Sequence, residues 1–75
     1  MDPEKIYGLM MFHGVKVGDI AAQEGVHPSL VHKAIRGDRT GPAAQRVREH
    51  IAKRLGKPVS ALWEEDREQR RTNVA

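Results

Sequence analysis

Five polar side chains fall within ten residues of the chain: His27, Ser29, His32, Lys33 and Arg36. Three chemistries are open to such a set. Histidines can ligate a metal, a serine with a histidine and a carboxylate can form a nucleophilic triad, and mixed donors and acceptors on one surface can read base-pair edges. The metal reading fails on spacing. His27 and His32 are five residues apart, about 140° around a helix, so their rings diverge where an i, i+4 pair would converge. The triad fails on setting. Asp19, Ser29 and a histidine can be written as one, but a chain this short offers no deep cleft to exclude water. No glycine loop is placed to cradle phosphate either. The residues therefore give no catalytic, metal, cofactor or small-molecule signal, which leaves base reading or the solvated face of an ordinary buried helix.

Those residues need a frame, and the glycines and prolines supply it. In GVHPSLVHKAIRG, Gly25 to Gly37, Pro28 suits a first helical turn because its φ is already fixed and it has no N–H to leave unpaired. Gly37 can take the left-handed conformation that ends the helix. Val31, Ala34 and Ile35 make an apolar face, which leaves His27, Ser29, Leu30, His32, Lys33 and Arg36 outward.

The same punctuation predicts four more helices. Asp2 and Pro3 open the first, with Ile6, Leu9, Met10 and His13 on one face and Gly14 as its stop. The second runs from Val17 to Glu24 with Ile20 and Ala21 inward. Pro42 opens the fourth, whose Ala44, Val47, Ile51 and Leu55 share a side, and Gly56 closes it. Pro58 opens a fifth that delivers Leu62 and Trp63. β-Branched residues never alternate long enough to suggest a strand. The expected fold is all-α, a compact bundle of five short helices over residues 1–63. Residues 64–75, EEDREQRRTNVA, form a polar tail that extends the last helix or is disordered. The expected core is Ile6, Leu9, Met10, Ile20, Ala21, Val26, Val31, Ala34, Ile35, Val47, Ile51, Leu55 and Leu62.

Composition narrows the setting. Seventy-five residues support one small domain, which buries only about 60% of its unfolded surface. The absence of cysteine excludes disulfides and thiolate metal sites and fits a reducing cytoplasm. No apolar run approaches the ~20 residues of a membrane span, and the first residues lack a signal-peptide pattern. With one Trp, one Tyr and one Phe, there is no aromatic platform for single-stranded bases. Charge is uneven. Met1 to His32 holds two basic and four acidic residues, whereas Lys33 to Lys57 holds eight basic against Asp38 and Glu49, a balance of +6. Such a segment is a solvated surface or the footprint of a phosphate-binding face.

Spacing decides between them. Helices two and three are separated only by a turn of a few residues. So tight a corner needs a glycine that can take positive φ, and a small residue where the helices approach. Gly25 and Ala21 answer those needs, and Val26, Val31 and Ala34 fall at the remaining buried offsets. This is the helix-turn-helix pattern of DNA-binding repressors, with the motif over about residues 17–36. The stretch GVHPSLVHKAIRG resembles the corresponding segment of lambda-repressor and Cro-like proteins. The layout from Ile6 to Trp63 is most similar to the Ner-type regulators of Mu-like phages, whose late glycine–proline–tryptophan segment reads LGKPVSALW here, Leu55 to Trp63. Two positions depart from the pattern. Glu24 stands where an apolar residue is usual, and Lys16 stands where Ser or Thr would cap helix two, at a cost of about 1 kcal/mol.

The resemblance implies a transcriptional regulator, a phage or prophage repressor, that places helix 28–36 in the major groove of double-stranded DNA, in the cytoplasm on the bacterial nucleoid. It places base contacts on His27, Pro28, Ser29, His32 and Lys33. The chemistry agrees, since Ser29 and His27 donate or accept and Lys33 suits guanine O6 and N7. Leu30 touches a thymine methyl or shields the rim of the core. Phosphates would meet Lys16 and the Val17 N–H at the start of helix two, and Arg36, Arg39 and Thr40 after helix three. Arg46, Arg48, Lys53 and Arg54 read as surface charges, with Arg46 nearest the DNA. His13 reads as half-buried and His50 as exposed. A competing reading is a protein-interaction module, or an antitoxin-like regulator, that binds a partner through helix one and the tail. Tyr7, Met11 and Phe12 lie off the core face of helix one and form a candidate partner or homodimer surface, unless Phe12 packs on Trp63 instead.

Overall fold

The computed structural model describes residues 1–63. Five helices follow one another: α1 (Pro3–Phe12), α2 (Val17–Glu24), α3 (Pro28–Arg36), α4 (Pro42–Leu55) and α5 (Val59–Leu62). Among the described residues there is no strand, so the fold is the all-α bundle that the punctuation predicts. No described helix is long and apolar enough to cross a membrane. The expectation for residues 64–75 lies outside the described residues.

The local chemistry explains the boundaries. α3 begins at Pro28, and the side chain of His27 caps it by accepting the Ser29 backbone N–H on Nδ1 at 3.1 Å. At its other end Gly37 takes φ +82°, which lets the Asp38 N–H turn back to the Lys33 carbonyl at 2.9 Å. Gly25 does the same for α2. At φ +67° it carries the chain through the corner while the Val26 N–H bonds the Ala21 carbonyl at 3.0 Å. A side chain other than glycine's reaches that φ only with strain. Lys16, at the head of α2, makes no side-chain capping bond, and neither does Asp2 at the head of α1.

α4 packs against α1, α2, α3 and α5, and α3 packs against α1, α2 and α4. The large side chains fully buried from solvent are Ile6, Ile20, Val31, Ile35, Val47, Ile51 and Leu62. Each contributes roughly 1.5–3 kcal/mol over its exposed state. Leu9 and Val26 are only half-buried against this core, and Val15, Ala44, Ala52 and Trp63 join it.

The packing places His13 and Arg48 contrary to expectation and closes one alternative. His13 is exposed because α1 stops at Phe12; beyond that residue the helical phase no longer sets direction, and Val15 folds in where His13 was expected. Phe12 does not pack on Trp63. Phe12 is 83% exposed and meets the His13 ring edge-on, whereas Trp63 is buried and donates its indole N–H to the Ile35 carbonyl at 3.0 Å. Arg48 is no surface charge. It is 2% exposed, donates Nε–H to the Ala34 carbonyl at 2.8 Å, and lies over the Trp63 ring at 5.2 Å.

Candidate nucleic-acid interface

α3 divides cleanly into two sides. Val31, Ala34 and Ile35 are buried, and Ser29, Lys33 and Arg36 are exposed. Leu30 is half-buried at the boundary, the position of a residue that covers the rim of the core.

The first turn presents a preorganised pair. Besides taking the Ser29 N–H, His27 Nδ1 lies 2.9 Å from the Ser29 hydroxyl. Because the backbone N–H can only donate, Nδ1 must be an acceptor, and the ring proton then sits on Nε2. The histidine thus offers an N–H donor outward, beside a serine oxygen that still has lone pairs. Pro28 between them is exposed.

His32, one turn on, is half-buried and tied to α1. Its Nδ1 lies 2.7 Å from the Tyr7 hydroxyl, with the two ring centroids 5.6 Å apart. Lys33 is exposed beside it. Arg36 pairs with Asp38 at 3.2 Å, but both side chains are at least half exposed. Such a surface pair is worth less than about 1 kcal/mol and yields readily to a phosphate.

The other phosphate candidates flank α3 in sequence. Lys16 and Val17 start α2, where the first-turn N–H groups lack a side-chain cap from Lys16. Uncapped N–H groups at a helix head favour an anion. Arg39 and Thr40 are exposed in the loop that leads to Gly41.

The α1 candidates separate. Met11 and Phe12 are 82% and 83% exposed. Tyr7 is half-buried, reaches His32 with its hydroxyl, and lines an apolar groove with Met10, Met11, Gly14, Val15, Lys16 and Val17.

Two arrangements were not legible from sequence. The last-turn carbonyls of α3 are held from beneath by Arg48 and Trp63. Glu24, the residue out of place in the motif, accepts from or pairs with His50 Nδ1 at 2.6 Å, and Arg46 Nε lies 4.0 Å from its other oxygen. His50 is accordingly half-buried rather than exposed, and Arg46 is turned toward α2. The partners are separated by between 14 and 28 residues, so no local spacing signals them. Comparison with protein-family models, with curated proteins and with solved structures finds no match to this chain.

Proposed function

We propose that the protein is a sequence-specific double-stranded DNA-binding regulator of the Cro-like and Ner-type kind, a phage or prophage repressor that acts on the nucleoid by occluding a promoter. The observation that carries this reading is the division of α3. One side is wholly buried against three helices, and the other exposes Ser29, Lys33 and Arg36 beside the His27 cap. A helix about 10–12 Å across fits a major groove about 12 Å wide.

In that pose His27, Pro28, Ser29, His32 and Lys33 face base edges, and each good contact discriminates by about 1–3 kcal/mol. Lys16, the Val17 N–H, Arg36, Arg39 and Thr40 take phosphates and set the register without reading sequence. The test is a binding titration on duplex DNA across salt concentrations. Four to six phosphate contacts give a slope of log K against log salt of about −4 to −5. A slope near zero would contradict the reading.

The exposure of Met11 and Phe12 favours a second reading, contact with another chain, including a second copy of this one. Dimers suit DNA binding, because paired half-sites one helical turn apart mirror a two-fold axis. Sedimentation of the wild type and Phe12→Ser without DNA tests it. A concentration-dependent dimer that the substitution dissolves supports a self-contact, and a monomer in both leaves Phe12 to a different partner.

A further inference from the structure

We infer that Tyr7, on α1, is a positioning residue for base reading: it fixes the proton of the His32 ring so that α3 presents an N–H donor at that position. The inference rests on the groove-reading role proposed for α3.

Tyr7 and His32 are 25 residues apart, on helices that pack together. The phenol oxygen lies 2.7 Å from Nδ1. A phenol O–H is a stronger donor than a neutral imidazole N–H, and the bare imidazole nitrogen is a stronger acceptor than the phenol oxygen. The contact is therefore read with the Tyr7 hydroxyl donating to Nδ1 of His32. A neutral imidazole has one proton to place, and with Nδ1 accepting it must sit on Nε2. Nε2 lies on the far edge of the ring from Nδ1, so it points away from Tyr7.

The consequence is chemical selectivity. An Nε2–H donor matches the acceptor-rich guanine edge, O6 and N7, and is mismatched against the amino groups of cytosine N4 and adenine N6. A histidine without Tyr7 could take either tautomer and either ring orientation, and would serve as donor to one base and acceptor to another. Tyr7 is buried enough to be held by the core yet its hydroxyl reaches the working face. It thus couples α1 to the selectivity of α3 without needing to touch DNA.

The test uses the full chain as wild type, Tyr7→Phe, His32→Ala and the double variant, each put through selection of bound duplexes from a random pool. The wild type should enrich a motif in which one base pair answers to His32, identified by its loss in His32→Ala. Tyr7→Phe should lower discrimination at that base pair by about three- to tenfold, the scale of one hydrogen bond, and leave the other positions unchanged. In the His32→Ala background Tyr7→Phe should change nothing further. Equal weakening on every sequence would mark Tyr7 as merely structural, and an unchanged preference at the His32 position would overturn the inference while leaving groove reading intact. A wild type that enriches no motif would overturn groove reading itself, and this inference with it.

Discussion

Arg48 Nε and the Ala34 carbonyl oxygen meet 2.8 Å apart inside the bundle. The contact ties the middle of α4 to the last turn of α3, and Trp63 ties the next carbonyl, that of Ile35, from the far end of the described chain. Helix ends leave carbonyls without intrahelical partners. Here the Gly37 N–H reaches the Ala34 carbonyl at 3.3 Å, and two long-range donors add to it, Arg48 on the same oxygen and Trp63 on the next carbonyl, so the exposed side of α3 rests on a firmly held backbone. The guanidinium lies over the Trp63 ring at 5.2 Å, a cation–π contact that joins the two donors.

Arg48→Met keeps most of the side-chain volume and removes the donor. The Ala34 carbonyl keeps the longer bond from the Gly37 N–H at 3.3 Å, so the loss is one hydrogen bond from a charged donor, about 1.5–3 kcal/mol. For a domain of this size each 1 kcal/mol lowers Tm by about 4–8 °C. A thermal melt should therefore show a drop on the order of 10 °C. An unchanged Tm would mean that the buried guanidinium contributes nothing beyond its packing.

Glu24 and His50 should be energetically coupled. Their contact joins α2 to α4 at 2.6 Å, with both side chains about one-fifth exposed. A double-mutant cycle of Glu24→Gln and His50→Gln should return a coupling of about 0.5–1.5 kcal/mol, less than a fully buried pair would give. Additive effects would reduce the pair to a chance of proximity.

Two glycines should respond oppositely to alanine. Gly25 sits at φ +67° with open space where a Cβ would go, so Gly25→Ala should destabilise by about 1–2 kcal/mol through backbone strain alone. Gly8 lies inside α1, with no positive φ and equally open space. Gly8→Ala should stabilise by about 0.5–1 kcal/mol, since glycine is the poorer helix former. Chemical denaturation of the two variants checks both signs.

What the sequence discloses and what it hides follow from the range of the forces. Pro28 and Gly37 bracket α3 because their backbone preferences act locally, and the same holds for Gly25 at the corner. The buried side of α3 was legible because Val31, Ala34 and Ile35 recur at helical spacing. Arg48 was not, because arginine is almost never fully buried unless paired, and its partners lie 14 and 15 residues away in the chain. Tyr7 and His32 meet only because α1 crosses α3 where it does, and a crossing leaves no mark on either helix alone. His13 misled because periodicity was followed one residue past the end of its helix. Glu24 read as a flaw in the motif until the fold brought His50 to it.

Arg39 and Lys33 separate positioning from reading. Arg39→Ala should weaken all duplexes alike and lower the salt slope by about one. Lys33→Ala should weaken a selected site by about 1–3 kcal/mol more than random DNA. Competition assays with both duplexes measure the difference. Equal losses from Lys33→Ala would remove it from the base-reading set, and an unchanged slope would return Arg39 to solvent.

The measurement closest to the central proposal is selection of bound duplexes from a random pool by the purified wild-type protein at near-physiological salt. If α3 reads the major groove, a short motif should be enriched, and substitutions at Ser29 and Lys33 should each alter particular positions within it. Salt-sensitive retention of every sequence alike, with no motif, would contradict base reading and direct attention to the exposed end of α1.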